Sequence, residues 1–231
     1  MGETAGCSNA DVAHIDTWVF DLDNTLYPAS AGLFPQIDVR MKAFISDLLG
    51  LEEDKACRLQ KTYYRQHGTT LRGLMLNHDV DPDAFLDYVH DIDHTVLTPD
   101  PALADALDAL PGRKLVYTNG SAGHADGVLL ALGIADRFEA IFDIRAGNYI
   151  PKPDPDSYLQ FLDSHAFNPH AAIMFEDSVK NLKPAADMGM TTVLVTHEST
   201  IDVAADTAHC HFITDDLKKW LRGAVESIEP G

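Results

Sequence analysis

The sequence predicts an α/β protein: a Rossmann-like parallel sheet with helices on both faces and a helical segment inserted after the first strand. Three observations carry this expectation. Short apolar runs rich in β-branched and aromatic residues alternate with segments of helical period, the pattern of repeated strand–helix–strand units. The runs are apolar at successive positions, as strands covered on both faces must be. Residues 28–97 hold no convincing strand, and that stretch is too long for a plain crossover.

The strand signals, in order, are TWVFD (17–21), KLVYT (114–118), AIFD (140–143), AIMFE (172–176), TVLVT (192–196) and HFIT (211–214). Turn residues close each run. Helical patterns at 122–132, 155–165 and 179–188 separate the later runs, with apolar residues recurring every three or four positions. Inside the strandless interval, Leu33, Phe34, Ile37, Met41, Phe44, Ile45, Leu48 and Leu49 mark an amphipathic helix, and helical stretches follow at 52–66 and 83–94. The expected organisation is a core of residues 1–27 and 98–231 with a helical module at 28–97.

Composition bounds the function. The 231 residues are 45% hydrophobic, enough for a substantial core, and carry a net charge of −19. No lysine- or arginine-rich run is present, so binding of a nucleic acid polymer is not expected. No apolar run reaches membrane-spanning length. The N-terminal MGETAGCSNADVAHID has neither a basic start nor an apolar stretch, and reads as a short tail without a secretory signal. Cys7, Cys57 and Cys210 form neither a disulfide framework nor a C-x-x-C site, which suits a reducing cytoplasm. An anionic substrate would meet a repulsive global field and would need positive charge supplied locally.

The chemistry-bearing residues gather at the carboxyl ends of the strand signals, where open parallel sheets bind ligands. The first run, in WVFDLDNTLYP, ends in Asp21-Leu22-Asp23. The second ends in Thr118-Asn119-Gly120, and the fourth in Glu176-Asp177-Ser178. Pro151-Lys152-Pro153 precedes a helical stretch. An aspartate carboxylate can attack phosphorus, dividing one hard displacement into two easier ones. A second acid can protonate the leaving alkoxide and then deprotonate water. Asp21 and Asp23 suit those two roles, and two roles require two residues. The bland alternative, an Asx turn closing a strand, explains the pair alone but not four such clusters together.

DLDNTLY, YTNG, PKPD and FEDS occur in order and resemble the four motifs of the haloacid dehalogenase-like (HAD) superfamily. The likeness spans the whole core and implies a HAD-like core with a helical C1 cap at 28–97. It further implies Asp21 as nucleophile and Asp23 as acid/base, with Thr118 and Lys152 as partners of the phosphate and nucleophile. Mg²⁺ would be held by Asp21, Asp177 and the Asp23 backbone carbonyl, with Glu176 acting through water. Such a cation also fits the acids directly, because carboxylate-plus-phosphate sites favour hard divalent ions. Asn119 and Gly120, before a helix starting near Ser121, can offer donors to an anion. Ser178 and Asn181 are expected to support Asp177. Crowding by like charge is expected to keep Asp23 protonated.

TYYRQHGTTLRGLM, YVHDID and PGRKLVYTNG are similar to the pyrimidine 5′-nucleotidase branch. On that likeness the substrate is a small phosphorylated metabolite, a pyrimidine nucleoside monophosphate. Tyr63 or Tyr64 would stack on the base, Arg72 would meet a second polar group, and Thr69 and Thr70 would approach the ligand from a turn. For the tyrosines, ordinary helix packing is the competing expectation. Other esters, a sugar phosphomutase, and a non-catalytic phosphate-binding protein on the same scaffold are the alternatives. The His209-Cys210-His211 run reads as an edge strand, since alternation turns Cys210 away from its neighbours.

Overall fold

In a computed structural model that describes residues 12–196 and 206–228, the predicted α/β architecture is present. Cys7 and most of the N-terminal tail lie outside the described residues. The elements are β1 (Thr17–Phe20), α1 (Leu33–Leu49), α2 (Glu53–His67), α3 (Thr70–His78), α4 (Pro82–Val89), α5 (Pro101–Ala109), β2 (Arg113–Tyr117), α6 (Ala122–Leu132), β3 (Ala140–Phe142), α7 (Pro155–His165), β4 (Ala172–Glu176), α8 (Val179–Asp187), β5 (Thr191–Val195), β6 (Phe212–Thr214) and α9 (Leu217–Ile228). The six strands among the described residues run parallel in the order β3-β2-β1-β4-β5-β6. The order reverses direction beside β1, which places a ligand crevice outside its carboxyl end.

Strand alternation divides the interior in two. Trp18 and Phe20 of β1, with Val116, Phe175 and Val193, pack beneath α5, α6 and α9. Val19, Leu115, Tyr117, Met174 and Leu194 pack on the opposite face against α7 and α8. Helix entry follows sequence chemistry: Asp81, Asp100 and Asp154 cap α4, α5 and α7, each with proline in the first turn.

The helical segment between β1 and β2 has its own apolar nucleus. Ile37, Ile45, Tyr63, Leu74, Phe85 and Val89 build it, joined by Ile144 from the loop after β3. The Arg145 guanidinium ties that loop to α4, reaching Asp83 at 2.6 Å and Asp87 at 2.8 Å. At Gly68, φ is +83° and an added Cβ would stand 3.3 Å from the Lys152 carbonyl oxygen. The turn after α2 therefore packs directly on the loop that carries Lys152.

Two expectations about this segment change. The helical pattern at 83–94 ends at Val89, because Asp91 and Asp93 would place negative charge on a helix C-terminus. Asp93 instead caps the short 3-10 turn His94–Val96. Thr69 and Thr70, expected in a turn, instead start α3 (Thr70–His78): Thr69 caps it, its hydroxyl accepting from the Arg72 N–H. Among the described residues no helix is long and apolar enough to cross a membrane.

Candidate active site

The carboxyl ends of the strands open into one cavity of about 1050 Å³. Asp21, Asp23, Thr118, Asn119, Gly120, Lys152, Glu176, Asp177, Ser178 and Asn181 all line it. Four separate loops, dispersed in sequence, thus converge on one space.

Lys152 organises the floor. It is only 1% exposed, so it is no solvated loop lysine. Its Nζ donates to Asp21 Oδ1 at 2.7 Å, Glu176 Oε2 at 2.8 Å and the Tyr117 carbonyl at 2.8 Å. Burial pulls the ammonium down, but Asp21 and Glu176 outweigh it and the group is held above its ordinary value. The second Asp21 oxygen accepts from the Thr25 hydroxyl at 3.0 Å, so both oxygens of the carboxylate are oriented. Burial, with the Glu176 charge, still pushes Asp21 up to about 7 against the pull of Lys152. Burial, Glu176 and Asp21 push Asp177 up to about 9.

Three acids in one buried place need more positive charge than one lysine gives. Asp21, Glu176 and Asp177 present oxygens within 4.8 Å of one another, and they are the convergent set among the described residues. Glu176 is already engaged on both oxygens, by Lys152 and by the Ser178 N–H at 3.0 Å. The three carboxylates together are a donor set that could hold a hard cation.

Asp23 behaves differently from expectation. Burial raises its carboxyl, but the adjoining His124 and the hydrogen bond from Tyr27 outweigh that and hold it below the usual range. The Tyr27 hydroxyl and His124 Nε2, at 2.8 Å, both meet Asp23 Oδ1. Asp23 is thus the ionised acid, and like-charge crowding falls on Asp21 and Asp177 instead. His124 escapes a motif reading because it sits within α6, but it follows the capping Ser121 by three residues, a position that points back toward the strand ends.

The Asn119 side chain holds the Lys152 loop reciprocally, accepting from the Lys152 N–H at 2.8 Å and donating to its carbonyl at 3.2 Å. Thr118 Oγ1 accepts from the Gly120 N–H at 2.9 Å. A Cβ on Gly120 would stand 3.2 Å from the His124 ring and 3.3 Å from the Thr118 hydroxyl, so glycine there leaves room for His124 to reach Asp23. Asp143, unforeseen from sequence, receives the Ala122 and Ala146 N–H groups at 2.8 and 2.9 Å and anchors the start of α6. The Ser178 side chain makes no cap hydrogen bond. Asn181 accepts the Tyr158 hydroxyl through its backbone carbonyl, while its buried side-chain oxygen has no hydrogen-bond partner among the described residues.

The cavity roof comes from α1 to α4. Tyr64, Thr69 and Thr70 line it; Tyr63 and Arg72 do not. Tyr63 belongs to the apolar nucleus, stacked on Gly73 so closely that a Cβ there would be 2.3 Å from its ring, and its hydroxyl meets His78 at 2.6 Å. Arg72 lies on α3 one position beyond Leu71, which does line the cavity, and that step turns its side chain about 100° off the cavity face. Tyr64 is half exposed at the mouth, with Lys180 of α8 4.1 Å above its ring.

Comparison with known proteins agrees with this geometry. A family model for haloacid dehalogenase-like hydrolases matches residues 15–189. Phosphate metabolism protein 8 of Saccharomyces cerevisiae is 31% identical over 193 residues, covering 76% of this chain and 60% of that protein. The chain thus spans under two thirds of that relative. A HAD phosphatase from Thermococcus onnurineus superposes with a TM-score of 0.59 at 18% identity, covering 86% of this chain and 93% of the other. A HAD family hydrolase from Deinococcus radiodurans R1, with bound phosphate and sodium, superposes with a TM-score of 0.55 at 22% identity, covering 94% and 97%. By its sequence and by the strand-end site just described, the chain belongs to the haloacid dehalogenase-like hydrolases.

Proposed function

We propose that the chain is a Mg²⁺-dependent phosphomonoester hydrolase working through an aspartyl-phosphate on Asp21, with residues 28–97 as its cap and a pyrimidine nucleoside 5′-monophosphate as substrate. The observation that carries the reading is the Asp21 carboxylate, held on one oxygen by Lys152 at 2.7 Å and on the other by Thr25 at 3.0 Å, at the floor of a covered cavity.

Asp21 attacks phosphorus, forming an O–P bond as the bond to the leaving oxygen breaks. The arriving phosphate dianion restores negative charge beside Asp23 and raises it, so that it can carry the proton the leaving alkoxide takes. Water then attacks the phosphorus of the aspartyl-phosphate and gives a proton to Asp23. The bond to Asp21 breaks, and inorganic phosphate leaves. Lys152 balances the charge that shifts on and off Asp21. Asp21 and Asp177 side chains and the Asp23 carbonyl would hold Mg²⁺, which supplies positive charge to the phosphate oxygens when bound. The Asp23 carboxyl is the feature that favours hydrolysis of phosphate esters over carbon–halogen displacement, which needs no proton shuttle.

Metal removal tests the reading in two ways. Phosphate release is expected with Mg²⁺ and absent with EDTA. Thermal stability gives the independent check. Asp21 and Asp177 have folded values of about 7 and about 9 against 3.8 unfolded. The metal-free folded protein therefore binds more protons than the unfolded chain, and loses stability as pH rises through that range. Mg²⁺ replaces those protons, so its stabilisation should be larger at pH 8 than at pH 5. At 100 times its dissociation constant, Mg²⁺ adds about 2.7 kcal/mol, or about 5–10 °C for a chain of this size. A melting temperature indifferent to Mg²⁺ at pH 8 would reject the metal site.

The leaving group is tested by a release screen over UMP, CMP, nicotinamide mononucleotide, sugar phosphates and pyridoxal phosphate. Base stacking on Tyr64 is worth about 1–3 kcal/mol, so Tyr64→Ala should raise the KM for UMP about tenfold. Arg72→Ala, off the cavity face, should leave it unchanged. Sugar phosphates turned over as well as UMP would remove the nucleotide assignment. Isomerised sugar phosphate without net phosphate release would indicate a mutase.

A further inference from the structure

Three histidines crowd Asp23, and the reaction just derived uses none of them. His124 comes from α6 with its side chain 0% exposed and Nε2 2.8 Å from Asp23 Oδ1. The other two lie where the helical segment returns to the sheet. His90, at the end of α4, stacks on the His124 ring with centroids 4.6 Å apart and planes 10° off parallel. Its Nδ1 is 2.8 Å from the hydroxyl of Ser121, the residue that caps α6. His94 places Nε2 3.3 Å from His124 Nδ1. Gly127, three residues after His124, makes room for it, since a Cβ there would stand 2.8 Å from the His94 ring. These ring nitrogens diverge toward Asp23, Ser121 and each other, so the cluster is not a metal site.

We propose that His124 is a positioning residue for Asp23, and that His90 and His94 make this positioning depend on the helical segment being seated over the cavity. The inference rests on the phosphatase reading above. An aspartate just past a strand end can rotate about two side-chain bonds. Tyr27 and His124 both bond Oδ1, which leaves Oδ2 as the oxygen that exchanges a proton with the leaving group. His124 is itself fixed by the His90 stack on one side and by His94 at its far nitrogen. When the helical segment lifts, both contacts go with it, and an unbraced His124 fixes Asp23 less firmly, with the Tyr27 bond remaining. The acid is then aimed best when the segment is seated, which couples protonation of the alkoxide to substrate enclosure.

Leaving-group dependence tests this. UMP, or the fastest alkyl ester of the screen above, needs a proton on its departing oxygen; p-nitrophenyl phosphate does not, because nitrophenolate leaves unaided. Under single-turnover conditions, His124→Ala should lower the ratio of alkyl to nitrophenyl cleavage rates about 10–100-fold. His90→Ala should lower the same ratio by a smaller factor. His124→Gln, whose amide nitrogen can replace Nε2 against Asp23, should recover most of it. An unchanged ratio in His124→Ala and His90→Ala, with both esters slowed alike or neither slowed, overturns the proposal. If His124→Ala does not fold, His90→Ala and His124→Gln decide it. Should the unmodified protein hydrolyse neither ester, the phosphatase reading fails and this inference with it. An enzyme that is silenced by Asp21→Asn yet shows no split overturns the positioning role alone.

Discussion

Asp21→Asn will abolish phosphate release, lowering turnover by about 10⁵-fold or more, the scale on which removal of a covalent nucleophile is felt. Asparagine fills the same volume, and its amide oxygen can still receive Lys152, but it cannot attack phosphorus. The substitution removes one of three crowded acids, so the metal-free protein should melt no earlier than the unmodified chain, and later at alkaline pH where Asp21 would be ionised. Activity and stability therefore move apart, which a general loss of structure could not produce. Two measurements settle it: single-turnover phosphate release with Mg²⁺, and intact mass after acid quench, which should show a phosphorylated species in the unmodified protein only. Residual turnover above about 1% would mean another group attacks phosphorus.

Lys152→Met will have the largest effect on the fold itself. Methionine matches the length of the lysine stem but brings no charge and no donor. Asp21 and Glu176 lose their shared ammonium, and the Tyr117 carbonyl loses its 2.8 Å partner. Removing one partner of a buried ion pair costs about 3–5 kcal/mol, because the remaining charge stays desolvated. For a chain of this length that corresponds to a fall in melting temperature of about 6–20 °C. Protonation of the stranded acids relieves the cost, so the fall should be smaller at pH 5 than at pH 8. Mg²⁺ supplies an alternative positive charge and should recover part of it. A shift below about 2 °C at pH 8 without metal would show that the acids do not depend on Lys152.

Most of this arrangement was legible in the sequence, and the gaps have physical reasons. The sheet was visible because buried parallel strands are short apolar runs with polar residues at their ends, and Asp21, Thr118, Lys152 and Glu176 sit at or beside those ends. Local spacing does not show which charges partner which. Lys152 was expected beside Asp21 from its motif, although 131 positions separate them, but its bonds to Glu176 and the Tyr117 carbonyl show only in the fold. His90, His94 and His124 were invisible for a similar reason: each is unremarkable on its own helix or turn, and only folding brings the rings together. The protonation of Asp23 was misjudged because crowding by acids was counted without the imidazole beside it. In the roof, the paired tyrosines could not be told apart, because successive helical residues point about 100° apart and only the packing of Tyr63 on Gly73 decides which one is free.

The separate apolar nucleus of α1 to α4 bears on how substrate preference can change. Those helices bury their own side chains and meet the remainder through Ile144, the Arg145 fork, the Gly68 turn and His90. Residues that would recognise a leaving group and residues that would break the ester therefore occupy distinct stretches of the chain, and a substitution at Tyr64 or Thr69 leaves Asp21 and Lys152 with all their partners. Substrate preference can change by small steps at roof positions such as Tyr64 and Thr69 without touching the partners of Asp21 and Lys152, much as a tool keeps its handle and takes a new head.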